Sequence, residues 1–202
     1  MFYNYFCNVI NKKKVSGIVL SGGKSSRMGS DKGLKIFKGK PLVEYAIEAL
    51  EPYCGNILLS TNNPENYKKY DVTIVEDEIK SIGPIGGIYS CLKKSSSEIN
   101  IFLSCDMPFV DSRLIKFLLE NIDADIDALV PVHDGNKVEP LCAYYNLGLL
   151  SSFKSFVETK NYKLMDFLDS INAKKLTMEG WSGYNNLYFN NFNTPEDIKV
   201  NS

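Results

Sequence analysis

The chain has 202 residues, 44% hydrophobic and 12% aromatic, enough apolar matter to bury a sizeable core and to exclude a disordered chain. Its 23 basic and 24 acidic residues leave a formal net charge of −1, so nothing draws the whole molecule to nucleic acid or an anionic membrane, and any phosphate binding must be local. No apolar run approaches the roughly 20 residues needed to span a bilayer.

Residues 1–11 are aromatic and Asn-rich, and Lys12-Lys13-Lys14 follow them. A secretory signal puts its charge before an apolar stretch, which here is interrupted by Asn4, Asn8 and Asn11. Residues 1–14 therefore read as an N-terminal extension, with a short extra strand as the alternative. Residues 15–202 read as one domain, without repeats or a low-complexity linker.

Residues 15–20 are apolar and β-branched and end at Gly22-Gly23, the pattern of a buried strand. Pro41 opens a helical spacing over residues 42–50. Strands are predicted over residues 57–59, 72–75 and 100–104, and a helix over 88–94 behind Gly86-Gly87. Asp111 or Ser112 caps a helix over 114–119. Further strands are predicted over 128–132, 141–145 and 187–192, and helices over 147–158, 164–170 and from Thr194 onward. Alternating strands and helices of about 10 residues imply an α/β fold with a mostly parallel sheet covered on both faces.

Five cysteines are scattered without a C-x-x-C pair, which fits neither a disulfide framework nor a zinc site. They read as reduced thiols of a cytoplasmic protein. Cys105 reads as a packing residue, since no activating partner stands near it in sequence. The single histidine, His133, excludes a multi-histidine metal centre and falls in His133-Asp134-Gly135-Asn136, read as a surface turn.

In open parallel sheets, ligands bind beyond the carboxyl ends of the strands. The first such place reads Leu20-Ser21-Gly22-Gly23-Lys24-Ser25-Ser26-Arg27-Met28-Gly29-Ser30-Asp31-Lys32-Gly33. Its glycines let backbone N–H groups approach an anion closely. Arg27 offers a planar fork for phosphate and Lys32 a mobile point charge. This is a polyphosphate site, yet it is neither Walker A nor the dinucleotide fingerprint, because G-K-[ST] and G-x-G-x-x-G are both missing.

The same stretch resembles the L-x-G-G-x-S-x-R-M-G-x-D-K signature of the molybdenum cofactor guanylyltransferases, the MobA family. The resemblance continues in Gly39-Lys40-Pro41-Leu42, Glu76-Asp77, Gly83-Pro84-Ile85-Gly86-Gly87-Ile88, Cys105-Asp106-Met107-Pro108 and Asn193-Thr194-Pro195-Glu196-Asp197. It implies a Rossmann-like three-layer sandwich with a mixed sheet, of the nucleotide-diphospho-sugar transferase type. It also implies the reaction: GTP and molybdenum-bound molybdopterin give a guanine dinucleotide cofactor and pyrophosphate. Leu20, Ser21 and Gly22 would then lie near guanine and ribose, with Arg27 and Lys32 facing the triphosphate. Asp106 matches the family's magnesium ligand, which suits a carboxylate at a strand end among phosphate donors. Asp77 matches a nucleotide contact. Partner proteins that deliver molybdopterin are expected for the family.

Some positions stay open. Asn193 matches a late family asparagine near the metal, and it could equally cap the last helix. Where relatives often carry asparagine after the second strand, this chain offers Ser60, Thr61 and Asn62, which sequence does not rank. Glu139 aligns with the second-substrate side without an assigned role. A glycine at 22 leaves room for a purine. The rival readings are a molybdopterin cytidylyltransferase, a sugar-phosphate uridylyltransferase, or a nucleotide-binding module that has lost the reaction.

Overall fold

The computed structural model describes residues 11–22 and 31–201. In chain order the strands are β1 (Val15–Leu20), β2 (Ile36–Phe37), β3 (Lys40–Pro41), β4 (Asn56–Ser60), β5 (Thr73–Val75), β6 (Ile99–Ser104), β7 (Ala128–His133), β8 (Lys137–Val138), β9 (Cys142–Asn146) and β10 (Ala173–Thr177). The α-helices are α1 (Leu42–Leu50), α2 (Pro84–Lys94), α3 (Ser112–Glu120), α4 (Leu150–Glu158), α5 (Leu164–Leu168) and α6 (Pro195–Val200).

The main sheet runs β10-β7-β9-β6-β1-β4-β5, with β8 paired to the far end of β7. Along that path β9 alone is reversed, so the sheet is mixed but mostly parallel. The alternation of side chains along each strand builds two cores. Val15, Val19, Leu59, Ile101 and Leu103 face α1 and α3. Ile18, Leu20, Leu58, Phe102 and Tyr145 face α2, α4 and α5. Helices on both faces make the three-layer sandwich that the sequence predicts.

Strand register positions the site. Leu20 pairs with Ser60 on one side and Ser104 on the other, and Ser60 pairs with Val75. Four strands thus end in one row, Ser104, Leu20, Ser60 and Val75. The chain leaves β1 through α1 toward β4, and later returns through α2 to β6 on the other side of β1. The two helices lie on opposite faces, so the order reverses at β1, where such sheets open a ligand crevice.

Three expectations need correction. Helix α2 begins at Pro84, not after Gly86-Gly87, because Gly83 turns the chain at φ +73 and Pro84 suits a first turn. Residues 187–192 form no strand. Tyr188, Phe189 and Phe192 are buried, but from turns: Asn185 accepts from the Leu187 N–H with its side chain and from the Tyr188 N–H with its carbonyl. The edge place belongs instead to β10, whose Lys174 and Lys175 hid its strand pattern. His133 is no surface turn. It ends β7, is buried, and its Nε2 lies 2.9 Å from Glu139 Oε1 with the ring stacked on Phe189.

Candidate functional site

A cleft of about 480 Å³ opens at the row of strand ends, within the size range of small-molecule sites. Leu20, Ser60 and Ser104 form its floor, Asp77, Asn62 and Gly22 one side, and Gly83, Pro84 and Gly87 of the α2 start another. Ser60 Oγ and Asn62 Nδ2 each donate to Asp77, at 3.2 Å. That ranks the three open candidates: Ser60 and Asn62 reach the cleft wall. Thr61 is fully buried and its hydroxyl accepts from the Asn63 N–H.

Gly87 lets α2 approach Ser60 and Leu20 closely at this wall. A Cβ there would stand 2.7 Å from Ser60 Oγ and 3.3 Å from Leu20 Cδ2. At Gly22 a Cβ would meet Ser60 Oγ at 3.8 Å, an ordinary contact, so this residue leaves cleft space open rather than relieving a clash.

The second cluster lies just past β6. Lys32 Nζ is 2.7 Å from Asp106 Oδ2 and 3.0 Å from Asn193 Oδ1. Lys32 begins a 3-10 turn after Asp31, Asp106 sits in the turn after Ser104, and Asn193 precedes α6. The C-terminal segment is held there by the Phe192 N–H, which donates to the Asp106 carbonyl at 2.8 Å. Asn193 does not cap α6. Thr194 does, in a capping box with Asp197, which leaves the Asn193 side chain for Lys32.

Asp106 bears on whether a metal fits. Its Oδ2 takes the lysine, but its Oδ1 is buried without a hydrogen-bond partner among the described residues. A buried, unpaired carboxylate oxygen is costly unless a cation meets it. No cluster of three or more His, Cys, Asp or Glu exists among the described residues, so one carboxylate would share a cation with substrate oxygens. That ligand set suits Mg²⁺, which keeps its waters and phosphate ligands.

Sequence reasoning singled out Leu20, Gly22 and Asp77, which line the cleft, and Lys32 and Asp106, which pair beside it. Arg27 lies outside the described residues. Ser21 does not line the cleft. Its N–H donates to the Ser60 carbonyl at 2.9 Å and its hydroxyl meets Tyr67 OH at 2.7 Å. Cys105, beside Asp106, is buried, and burial with the neighbouring carboxylate pushes its thiol up to about 12. It is inert packing, as expected.

Comparisons with known proteins give the family and the fold. The MobA-like NTP transferase domain matches residues 17–174. The chain is 33% identical over 189 residues to the molybdenum cofactor guanylyltransferase of Yersinia pseudotuberculosis, covering 92% of this chain and 94% of that one. The crystal structure of molybdopterin-guanine dinucleotide biosynthesis protein A from Archaeoglobus fulgidus superposes with a TM-score of 0.78 at 27% identity, over 92% of this chain and 96% of that one. A nucleotidyl transferase from Methanothermobacter, at 14% identity and a TM-score of 0.70 over 93% of this chain and 95% of that one, shares the fold.

Proposed function

The chain belongs to the MobA-like NTP transferase family, and we propose that it transfers GMP from GTP to the terminal phosphate of molybdenum-bound molybdopterin, releasing pyrophosphate. The observation that carries this reading is the Lys32–Asp106–Asn193 cluster at the edge of a nucleotide-sized cleft.

An oxygen of the molybdopterin phosphate attacks the α-phosphorus of GTP. The new P–O bond forms as the bond to the α–β bridging oxygen breaks, and its electron pair leaves on pyrophosphate. A phosphate monoester is already nucleophilic at neutral pH, so the protein must supply alignment and charge rather than a strong base. Lys32 is the charge that meets the departing pyrophosphate. Arg27 takes the same duty by its place in the signature. Asp106, with its unpartnered oxygen, would hold Mg²⁺, which when bound would supply Lewis-acid charge for the phosphates. Leu20 and Gly22 flank the nucleoside, and Asp77, fixed by Ser60 and Asn62, offers carboxylate oxygens to it. Ser21 holds this wall through Ser60 and Tyr67. Guanine is favoured by the space at Gly22 and by the names of the relatives.

Residues 15–202 form the catalytic domain in this reading, with 1–14 as an extension whose Lys12 carbonyl packs against Gly55. No helix among the described residues is long and apolar enough to cross a membrane, and Cys54, Cys91, Cys105 and Cys142 are free thiols. In this reading the family resemblance supports a reaction in the cytoplasm and makes proteins that deliver molybdopterin, not nucleic acid, the expected partners.

Pyrophosphate release from GTP and molybdenum-loaded molybdopterin tests the proposal. Asp106→Ala should abolish turnover while weakening GTP binding far less. Equal losses in both would remove the metal role, and release from CTP but not GTP would change the substrate and keep the mechanism.

A further inference from the structure

Lys32 lies between two residues that are themselves held. On one side, both carboxylate oxygens of Asp31 are occupied: Tyr67 OH donates a short hydrogen bond to Oδ1, and Asn63 Nδ2 donates to Oδ2 at 3.2 Å. On the other side, Gly33 lies against the same tyrosine. A Cβ there would overlap the Ser21 hydroxyl and stand 2.6 Å from Tyr67 OH. Tyr67 is fully buried, and burial with the Asp31 bond pushes its phenol up, so it stays a neutral donor. With its O–H directed at Asp31, its oxygen accepts from the Ser21 hydroxyl at 2.7 Å. The result is one directional chain, Ser21 to Tyr67 to Asp31, across the turn that carries Lys32.

The electrostatic consequence is more specific than packing. Lys32 has three carboxylates near it: Asp31 beside it in the chain, Asp106 across the cleft edge, and Asp197 at the start of α6, which the Asn193 and Thr194 N–H groups already hold. A lysine is a flexible point charge and takes whichever partner is free. Tyr67 and Asn63 each hold one oxygen of Asp31 and so fix its carboxylate away from the ammonium, and Lys32 is found on Asp106 and Asn193.

We propose that Tyr67 is a positioning residue for Lys32: by holding Asp31 and bearing on Gly33 it fixes the turn and directs the ammonium to Asp106. Its kinetic consequence rests on the role given to Lys32 in the transferase reading. Its structural consequence does not.

Tyr67→Phe keeps the ring and removes the hydroxyl, and Asn63→Ala, at an exposed side chain, releases the other oxygen of Asp31 should the first variant fold poorly. The first readout is independent of activity: acetylation of Lys32 by limiting N-hydroxysuccinimidyl acetate, followed by peptide mass spectrometry with exposed Lys68 as reference. Lys32 should label at least about threefold faster in either folded variant, because its ammonium leaves the part-buried contact with Asp106 for the exposed side of Asp31, where an ion pair holds it weakly. An unchanged ratio to Lys68 overturns the proposal. The second readout is a kinetic cycle. Tyr67→Phe should lower kcat about tenfold, in keeping with the cost of misplacing a catalytic group, yet cost under about twofold in a Lys32→Ala background, the signature of coupled sites. Equal losses in both backgrounds would make Tyr67 merely structural. A wild-type protein that turns over no GTP would sink the transferase reading and leave the labelling result to decide this one.

Discussion

Lys32 Nζ lies 2.7 Å from Asp106 Oδ2 across 74 residues of sequence, and Asn193, a further stretch away, completes the contact from the C-terminal segment. Three distant parts of the chain therefore meet at the end of β6. The lysine meets one oxygen of the aspartate, and the other is buried without a hydrogen-bond partner among the described residues. In the proposed transferase reading, a lysine beside a carboxylate with one unpartnered oxygen is suited to a charged leaving group.

Removal of the ammonium should cost about what a charge-assisted hydrogen bond contributes, roughly 1.5–3 kcal/mol. Lys32→Ala is therefore expected to lower kcat/KM by about 10- to 150-fold. Steady-state kinetics of pyrophosphate release check this, and an unchanged kcat/KM would take Lys32 out of the site.

Gly87→Ala separates a cleft effect from a stability effect. In a helix interior alanine is favoured over glycine by about 1 kcal/mol. Here the added methyl would stand 2.7 Å from Ser60 Oγ, which would have to turn and give up its bond to Asp77. The variant should keep its circular dichroism spectrum and bind GTP about tenfold or more weakly, the loss of one or two well-placed contacts. Unchanged affinity would show that Ser60 and Asp77 do not act as a unit.

Acid sensitivity should trace to the helix caps. Asp111 caps α3: its carboxylate accepts from the Arg113 N–H at 2.9 Å, from the Arg113 guanidinium at 2.6 Å and from Tyr188 OH at 3.1 Å. Burial alone would raise its pKa, but these hydrogen bonds outweigh burial and hold it below the usual carboxylate range. Asp197 is lowered too, by the backbone N–H groups of Thr194 and Asn193. For a folded-state pKa below the unfolded one, the unfolded chain binds more protons as pH falls. The stabilisation is complete above the unfolded value of about 3.9 and drains away as pH falls through the folded value. Melting temperatures of wild type and Asp111→Asn, measured from about pH 6 down to pH 2, should converge below about pH 4. A constant gap would show that the carboxylate charge of Asp111 is not what stabilises the cap.

The parts of the fold legible in the sequence are those where one force dominates. Val15–Leu20 is wholly buried, and its apolar run says so. Helix α1 begins one residue after Pro41 and ends where its apolar spacing does. The two-residue strands β2, β3 and β8 are too short to show a period, and β10 carries lysines at an edge. Residues 187–192 read as a strand from their aromatic content, but buried aromatics can also be delivered by asparagine turns. Within the site, the motifs located Lys32, Asp77 and Asp106, but their partners depend on strand register and on where the C-terminal segment docks. Tyr67 lies in an aromatic, polar stretch with no motif, and its link to Ser21 and Asp31 exists only once β1 and β4 are side by side.

The most direct test of the account is calorimetric titration of GTP, CTP, UTP and ATP with Mg²⁺ into the wild-type protein and into Asp106→Ala. The account predicts selective binding of GTP to the wild type and a reduced magnesium dependence in the variant. Preference for another nucleotide, or GTP binding whose magnesium dependence is the same in both proteins, would contradict it.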